Sequence, residues 1–476
     1  MKTLIVAAIR CSLLFLLPSV TYAISAQWDL DPISGDWNRA DNWTPNGVPN
    51  GLADVATFGL SNTTNVSISG DTEVNGIIFT SEATNPYTIT ASAPFTLRIS
   101  GTGITNNSGS TQHFMTTVGA NGEFGLIVFT NSATAGTSTM FTNNGGTVSG
   151  AAGGSTIFHD SSTAGSAILV ANGGSNGGAG GQIFFNENST GGTSRVELFG
   201  NGSLEISAHA APSVTIGSIE GNGNAFLGAK NLTVGSNNLS TTFSGVIQDG
   251  GGSGGTGGSL TKIGSGTFIL TGANTYTGNT NVDRGVLQLD GAITSNAFVN
   301  QSGTLVGMGT VNGNLVNNGR VIPGSAGAPG MLNVVGNYTQ AQYATLMIQI
   351  AGMNAGQFSV LDVLGTANLS GRLDPVLLNG FIPTIGQSFT FLTYAAVNGT
   401  LSVFNPNIDN EPEHWVVSYQ ATNAILTVAP GNVPVPDQGS TFLLLMLGLL
   451  GLVTYRRQLL RGADLSVICV ITGNHR

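Results

Sequence analysis

Apolar residues in this chain come in short runs. Ile77-Ile78-Phe79, Leu126-Ile127-Val128-Phe129, Ile168-Leu169-Val170, Ile183-Phe184-Phe185 and Phe268-Ile269-Leu270 are separated by stretches of Gly, Asn, Ser and Thr. Elsewhere apolar and polar residues alternate, as in Phe95-Thr96-Leu97-Arg98-Ile99, Leu204-Glu205-Ile206, Val214-Thr215-Ile216 and Leu232-Thr233-Val234. A period of two buries one face of a strand and leaves the other in water. Asn-Gly pairs at 75–76, 121–122, 201–202, 312–313 and 318–319 mark tight turns between such strands. No stretch before residue 441 repeats with the period of a helix. The pattern predicts an all-β body.

Spacing narrows the architecture. From about residue 200 the apolar centres recur roughly every 9–14 residues, which a sandwich, a barrel or a solenoid can use. More than 400 residues in one sandwich would be unusually large, whereas a solenoid grows by stacking coils on their neighbours. With about 20–25 residues per coil and a rise of ~4.8 Å, the body would form a rod of roughly 80–100 Å.

Composition agrees. Glycine supplies 70 of 476 residues and charged residues only 8%, too few for the exposed faces of helical bundles. The formal net charge of −10 argues against nucleic acid as a partner, because phosphate binding needs a basic surface.

The two ends differ from the body. Lys2 and Arg10 precede a compact apolar stretch, Cys11 to Leu17, and Thr21-Tyr22-Ala23 offers a small-residue cleavage site. The arrangement predicts a signal peptide over 1–23, cut after Ala23, with Ala26 as the fallback. Thr441 to Tyr455 is a second apolar run, followed by Arg456 and Arg457. Fifteen helical residues span ~22 Å, so this predicts one short transmembrane helix with its arginines on the cytoplasmic side. Just before it stand Val435, Pro436, Asp437, Gln438, Gly439 and Ser440. Motif, apolar helix and arginine pair together resemble the VPDSG-CTERM and PEP-CTERM sorting signals of exopolysaccharide-producing Gram-negative bacteria. Gln438 stands where the family name has Ser. The resemblance implies an exosortase-like protease as a partner, acting on a membrane-anchored precursor. Such tails usually end near the basic cluster, yet residues 458–476 follow here.

Both cysteines, Cys11 and Cys469, lie in these ends, so the body has no disulfide framework and no thiolate chemistry. Between residues 24 and 436 stand 22 acidic and 8 basic residues, a net of −14.

Within the body, residues 258–291 read GSLTKIGSGTFILTGANTYTGNTNVDRGVLQLDG. This closely resembles the autotransporter-associated β-strand repeat, through Leu260, Thr261, Lys262, Gly264, Gly266, Leu270, Gly272, Asn274, Tyr276, Gly278, Thr280, Gly285 and Leu287. The resemblance implies a right-handed parallel β-helix of the passenger type. Leu260, Ile263, Phe268, Leu270, Val286, Leu287 and Leu289 are expected to fill coil interiors, Gly264 and Gly266 to occupy corners, and Asn274 to satisfy turn backbone. Residues 307–340, and the strands around 358–363 and 386–391, are similar to the end of such passengers. The segment around Trp28, Trp37, Trp43 and Asp54 is similar to their start and is expected to cap the solenoid. No C-terminal series of amphipathic barrel strands follows.

The expected division is therefore a signal at 1–23, cap and first coils at 24–100, a Gly/Asn/Ser/Thr-rich solenoid at 101–257 and the repeat at 258–291. Passenger end (292–429), linker and sorting motif (430–440), transmembrane helix with arginine pair (441–457) and tail (458–476) complete it. Residues 100–200 give no alignment.

Candidate chemistry is sparse. Gly252-Ser253-Gly254-Gly255-Thr256-Gly257 fits G-x-G-x-x-G but follows no βαβ pattern and opens no helix, so it reads as a solenoid corner or linker. Glu411-Pro412-Glu413-His414 reads as a solvated loop, and His113, His159 and His209 are isolated. The carboxylates Asp160, Glu187, Glu197, Glu205, Glu220 and Asp249 are thinly spread, where a polysaccharide-active β-helix needs them gathered on one face. The reading is an exported structural or adhesive surface protein, without catalytic, cofactor or metal residues. Its expected partners are the secretion machinery, the sorting protease, the membrane and extracellular polysaccharide. The alternatives are a polysaccharide-active β-helix enzyme and a glycan- or ice-binding module.

Overall fold

A computed structural model describes residues 23–404, 408 and 413–431. Residues 1–22, where a signal is expected, and residues 432–476, with the motif and apolar run, lie outside the described residues.

The alternating segments form strands that pair in parallel with the strand one coil earlier and one coil later. Leu126–Phe129 pairs with Ser155–Phe158, which pairs with Gln182–Phe185. Thr139–Asn143 pairs with Ile168–Ala171, which pairs with Arg195–Leu198. Three faces result. The first runs from Ala26–Trp28 to Ser388–Thr393 as an eleven-stranded and an eight-stranded sheet stacked end to end. The second runs from Asn65–Ile68 to Ser402–Val403, and the third from Ser213–Ile216 to Ala396–Gly399. Thr280–Leu289 and Ala297–Gly307 bend across the corner between these two faces and join them into one sheet. The protein is a parallel β-solenoid, and its described residues contain only one three-residue 3-10 turn, Ala40–Asn42, as helix.

Parallel stacking places each inward side chain on its counterpart in the next coil. Phe129, Phe158 and Phe185 form a column with ring centroids 4.9 and 5.0 Å apart and nearly parallel planes. Phe114 and Phe141 stack at 4.8 Å on the opposite face. These spacings match the ~4.8 Å between paired strands, so the backbone ladder also sets the aromatic ladder. Fully burying each ring stabilises by about 1.5–3 kcal/mol.

Coil length varies more than the sequence suggested. Ile293 pairs with Val311, 18 residues on, whereas Leu361 pairs with Leu392, 31 residues on. The excess lies in corners, as in the hairpin that pairs Gly324 with Pro329 and Ser325 with Ala328. The first face carries 16 parallel rungs from Ala26–Trp28 to Ser388–Thr393, a height of about 70 Å at ~4.8 Å per step, shorter than the 80–100 Å expected.

Each end of the first face is closed by an antiparallel pair. At the start, Trp28 pairs with Trp43. Trp28, Trp37 and Trp43 are fully buried around Phe58, and each indole N–H donates to a backbone carbonyl, of Thr63, Pro49 and Trp37 respectively. At the other end Ser388–Thr393 pairs with Asn423–Ala429, which pairs with His414–Tyr419.

Inside the 258–291 segment, Leu260, Phe268, Leu270, Leu287 and Leu289 are buried as expected. Ile263 and Val286 are not: both are half-buried and lie off the inward positions. Strand Ser259–Lys262 points Leu260 and Lys262 inward, so Ile263 falls at the corner, and strand parity turns Val286 outward. Gly264 takes a positive φ of 70°. Gly266 does not need one; a Cβ there would lie 2.3 Å from the Leu239 carbonyl oxygen. Asn274 accepts from Ile247 N–H at 3.0 Å and donates to the carbonyls of Gly272 and Ala292.

Candidate functional site

The solvent side of the second face brings together carboxylates that the sequence scatters. Strand Arg195–Leu198 turns Val196 and Leu198 inward, which leaves Arg195 and Glu197 outward. Glu197 stands directly opposite Glu220 on the next rung. Arg195 Nε lies 3.0 Å from Glu197 Oε1 and also donates to Glu220 Oε1. The three groups border a depression of about 420 Å³ with Phe199, Thr242 and Ile269. Burial raises the Glu197 carboxyl above its ordinary value; Arg195 opposes this and Glu220 adds to it. A raised carboxyl, a second carboxylate and a guanidinium are groups that acid–base chemistry on a sugar can use. The shared guanidinium also makes the cluster a self-neutralised ladder. Sequence reading missed this pairing. Its signal was Val196-Glu197 and Ile219-Glu220 one coil apart, each followed by Gly-Asn-Gly within five residues.

The other carboxylates hold backbone. Asp160 accepts from Asn131 N–H at 2.7 Å, and Glu187 from Asp160 N–H at 2.6 Å. Glu205 is buried and accepts from Gly252 N–H at 2.8 Å and Ser207 N–H at 3.0 Å. Asp249 accepts from Gly257 and Gly258 N–H and from the Thr277 hydroxyl. The N–H groups of Gly252, Gly257 and Gly258, which would have to face a phosphate, are thus turned onto the protein's own carboxylates. The glycine-rich segment is a pinned corner and not a dinucleotide cradle.

The three body histidines do not meet. His113 stands on the second face, opposite Met140, and His159 lies 3.8 Å from Glu187 at a first-face corner. His209 is buried, with Nε2 2.7 Å from the Ser189 carbonyl and Nδ1 3.0 Å from that of Ala211. Among the described residues no three His, Cys, Asp or Glu side chains gather as a metal site. His414 opens a strand that pairs with Ala429, while Glu411 and Pro412 lie outside the described residues. Val435, Pro436, Asp437, Gly439, Ser440, Arg456 and Arg457 also lie outside them. Among the described residues no helix is long and apolar enough to cross a membrane. Ala23 is the first described residue and is exposed.

Comparison with known proteins identifies both recognisable segments. The family model described as passenger-associated-transport-repeat matches residues 260–289, and the VPDSG-CTERM motif model matches residues 434–459. The chain thus carries one segment similar to a passenger-associated repeat and one similar to a VPDSG-CTERM motif. An extracellular serine protease of Serratia marcescens is 49% identical over 69 residues, 14% of this chain and 7% of its own length. The adhesin BmaC autotransporter of Brucella suis biovar 1 (strain 1330) is 39% identical over 116 residues, 22% of this chain and 3% of its own length. The chain spans only a small fraction of the length of either relative.

The segment matched by the repeat model is continuous with the stack. Its strand Ser259–Lys262 pairs back to Asn231–Val234 and forward to Thr280–Leu289.

Proposed function

We propose that this chain is an exported, right-handed β-helix that serves as a structural or adhesive component of the cell surface or extracellular matrix. The observation that carries this reading is the passenger-associated repeat at 260–289, built into a continuous parallel stack, in a chain whose 434–459 match a sorting motif. Right-handedness follows the strong preference of parallel crossover connections. Export begins with the leader at 1–23 through the Sec route. The apolar helix at 441–457 holds the precursor in the membrane until an exosortase-like protease acts at Val435-Pro436-Asp437 and Gly439-Ser440, leaving the acidic body at the surface beside extracellular polysaccharide. Cell fractionation followed by mass spectrometry of the surface protein tests this. The expected C-terminus lies at or near the motif; an intact tail beyond Arg457 in surface material would reject the processing.

One observation favours a second reading, a polysaccharide-active enzyme: the Arg195, Glu197 and Glu220 cluster beside its depression. The purified protein would be screened against acidic and neutral polysaccharides. Turnover that falls at least a hundredfold in Glu197→Gln would replace the structural reading.

A further inference from the structure

Asp54 occupies an unusual place in the N-terminal cap. Strand Gly51–Phe58 points residues 54, 56 and 58 inward, and the other two are the buried core residues Ala56 and Phe58. A carboxylate at the head of this series is 5% exposed, and among the described residues no lysine, arginine or histidine pairs with it. Its partners are two backbone amides. Asn50 N–H donates to Oδ2 at 2.9 Å and Ile24 N–H donates to Oδ1 at 2.7 Å. A buried charge held by hydrogen bonds alone is stabilised further when a counter-charge is brought to it.

Ile24 N is the nitrogen of the bond that the leader reading cuts. We propose that cleavage after Ala23 creates the missing counter-ion, and that the new Ile24 α-ammonium locks onto Asp54 to close the cap. The inference rests on the export reading. Hydrolysis of the Ala23–Ile24 amide by a secretory signal peptidase consumes one water, leaves a carboxylate on Ala23 and gives Ile24 an amine that takes up a proton. One neutral donor becomes a cation with three.

The surroundings suit this end and not the fallback. Ala23, Ile24 and Ser25 are exposed, so the bond lies open to a protease. The Ile24 side chain rests over Gly47, where an added Cβ would come within 2.7 Å of its Cγ2. Ser25 Oγ accepts from Val55 N–H at 3.1 Å. Ala26 is buried and pairs with Ala56. Cutting after Ala26 would discard both contacts and open the first strand.

The test uses the full chain exported with its own leader. Mass spectrometry of the mature N-terminal peptide identifies the first residue. Asp54→Asn is then compared in two backgrounds, the native chain and one with Gly-Ser inserted between Ala23 and Ile24, which moves the amine away from Asp54. The readout is the rate at which protease releases the cap. A first residue of Ile24 is expected. The insertion and Asp54→Asn should each speed release at least tenfold, with little further gain when combined. If Asp54→Asn does not fold, the insertion variant, which keeps Asp54, still carries the test. A different first residue overturns the leader reading and the lock with it. A first residue of Ile24 with insertion-insensitive release, or with equal Asp54→Asn effects in both backgrounds, overturns the lock alone.

Discussion

Lys262 shows how the fold treats an ionisable side chain inside the stack. Its stem lies between Val234 and Val282 on the neighbouring rungs, and its Nζ donates to the carbonyls of Ile263, Gly264 and Arg284. An ammonium has three donors, and all three find acceptors. Yet no carboxylate neutralises it, and burial pushes the amine down to about 8. Between about pH 8 and 10.4 the unfolded chain holds a proton that the folded chain has released, so stability rises with pH across that window. Below it both states are protonated and the penalty stays. Lys262→Met should abolish this rise, which after solvent screening is on the order of 1–2 kcal/mol. Chemical denaturation of wild type and variant at pH 7.5 and 10 measures it; parallel pH dependences would mean that the amine is not desolvated. The residue itself was legible as part of the repeat. Its inward direction was not, because strand parity near a corner fixes which neighbour turns inside, and Ile263 was the more apolar choice.

Strands were readable one at a time; corners were not. The runs at 126–129, 168–171, 182–185 and 267–270 announce themselves by β-branched and aromatic residues. Residues 100–200 resisted alignment because their corners share a backbone shape and not a residue type. Asn131, Asp160 and Glu187 all adopt positive φ, 56°, 53° and 53°, at equivalent places. Five residues later Gly136, Gly165 and Gly192 do so again, and each donates its N–H to a threonine hydroxyl two residues back, Thr134, Thr163 or Thr190. Those threonines pair with one another along the stack. The recurring unit is therefore a conformation with a Thr-x-Gly closure. Interior ladders fix the coils between such corners. Leu270 is fully buried between Phe243 and Leu289. Leu270→Asp buries an unpaired carboxylate and should cost more than about 4 kcal/mol. Limited proteolysis is expected to open the neighbouring coils, and a wild-type digestion pattern would contradict the inward register.

At the scale of the whole molecule, a stacked all-β body with strand pairing one coil apart follows from short alternating runs and the composition of their connections. The meeting of Glu197 with Glu220 did not follow, because residues stack only when the intervening coil length is known, and that length changes from coil to coil. The acidic body also has its charge placed by this arithmetic. Asp160, Glu187 and Glu205 tie backbone, while Glu197 and Glu220 on the second face stand side by side around one arginine.

The unequal coils have one more consequence. Rung spacing is set by backbone pairing, so a chain that lengthens at a corner gains sequence without gaining height. Contour and altitude are separate variables in this molecule. The corner at Gly327, with φ of 82° and nothing within 4 Å of an added Cβ, is a place where that freedom is open. A rod of this kind can vary what it presents along its sides while keeping its height.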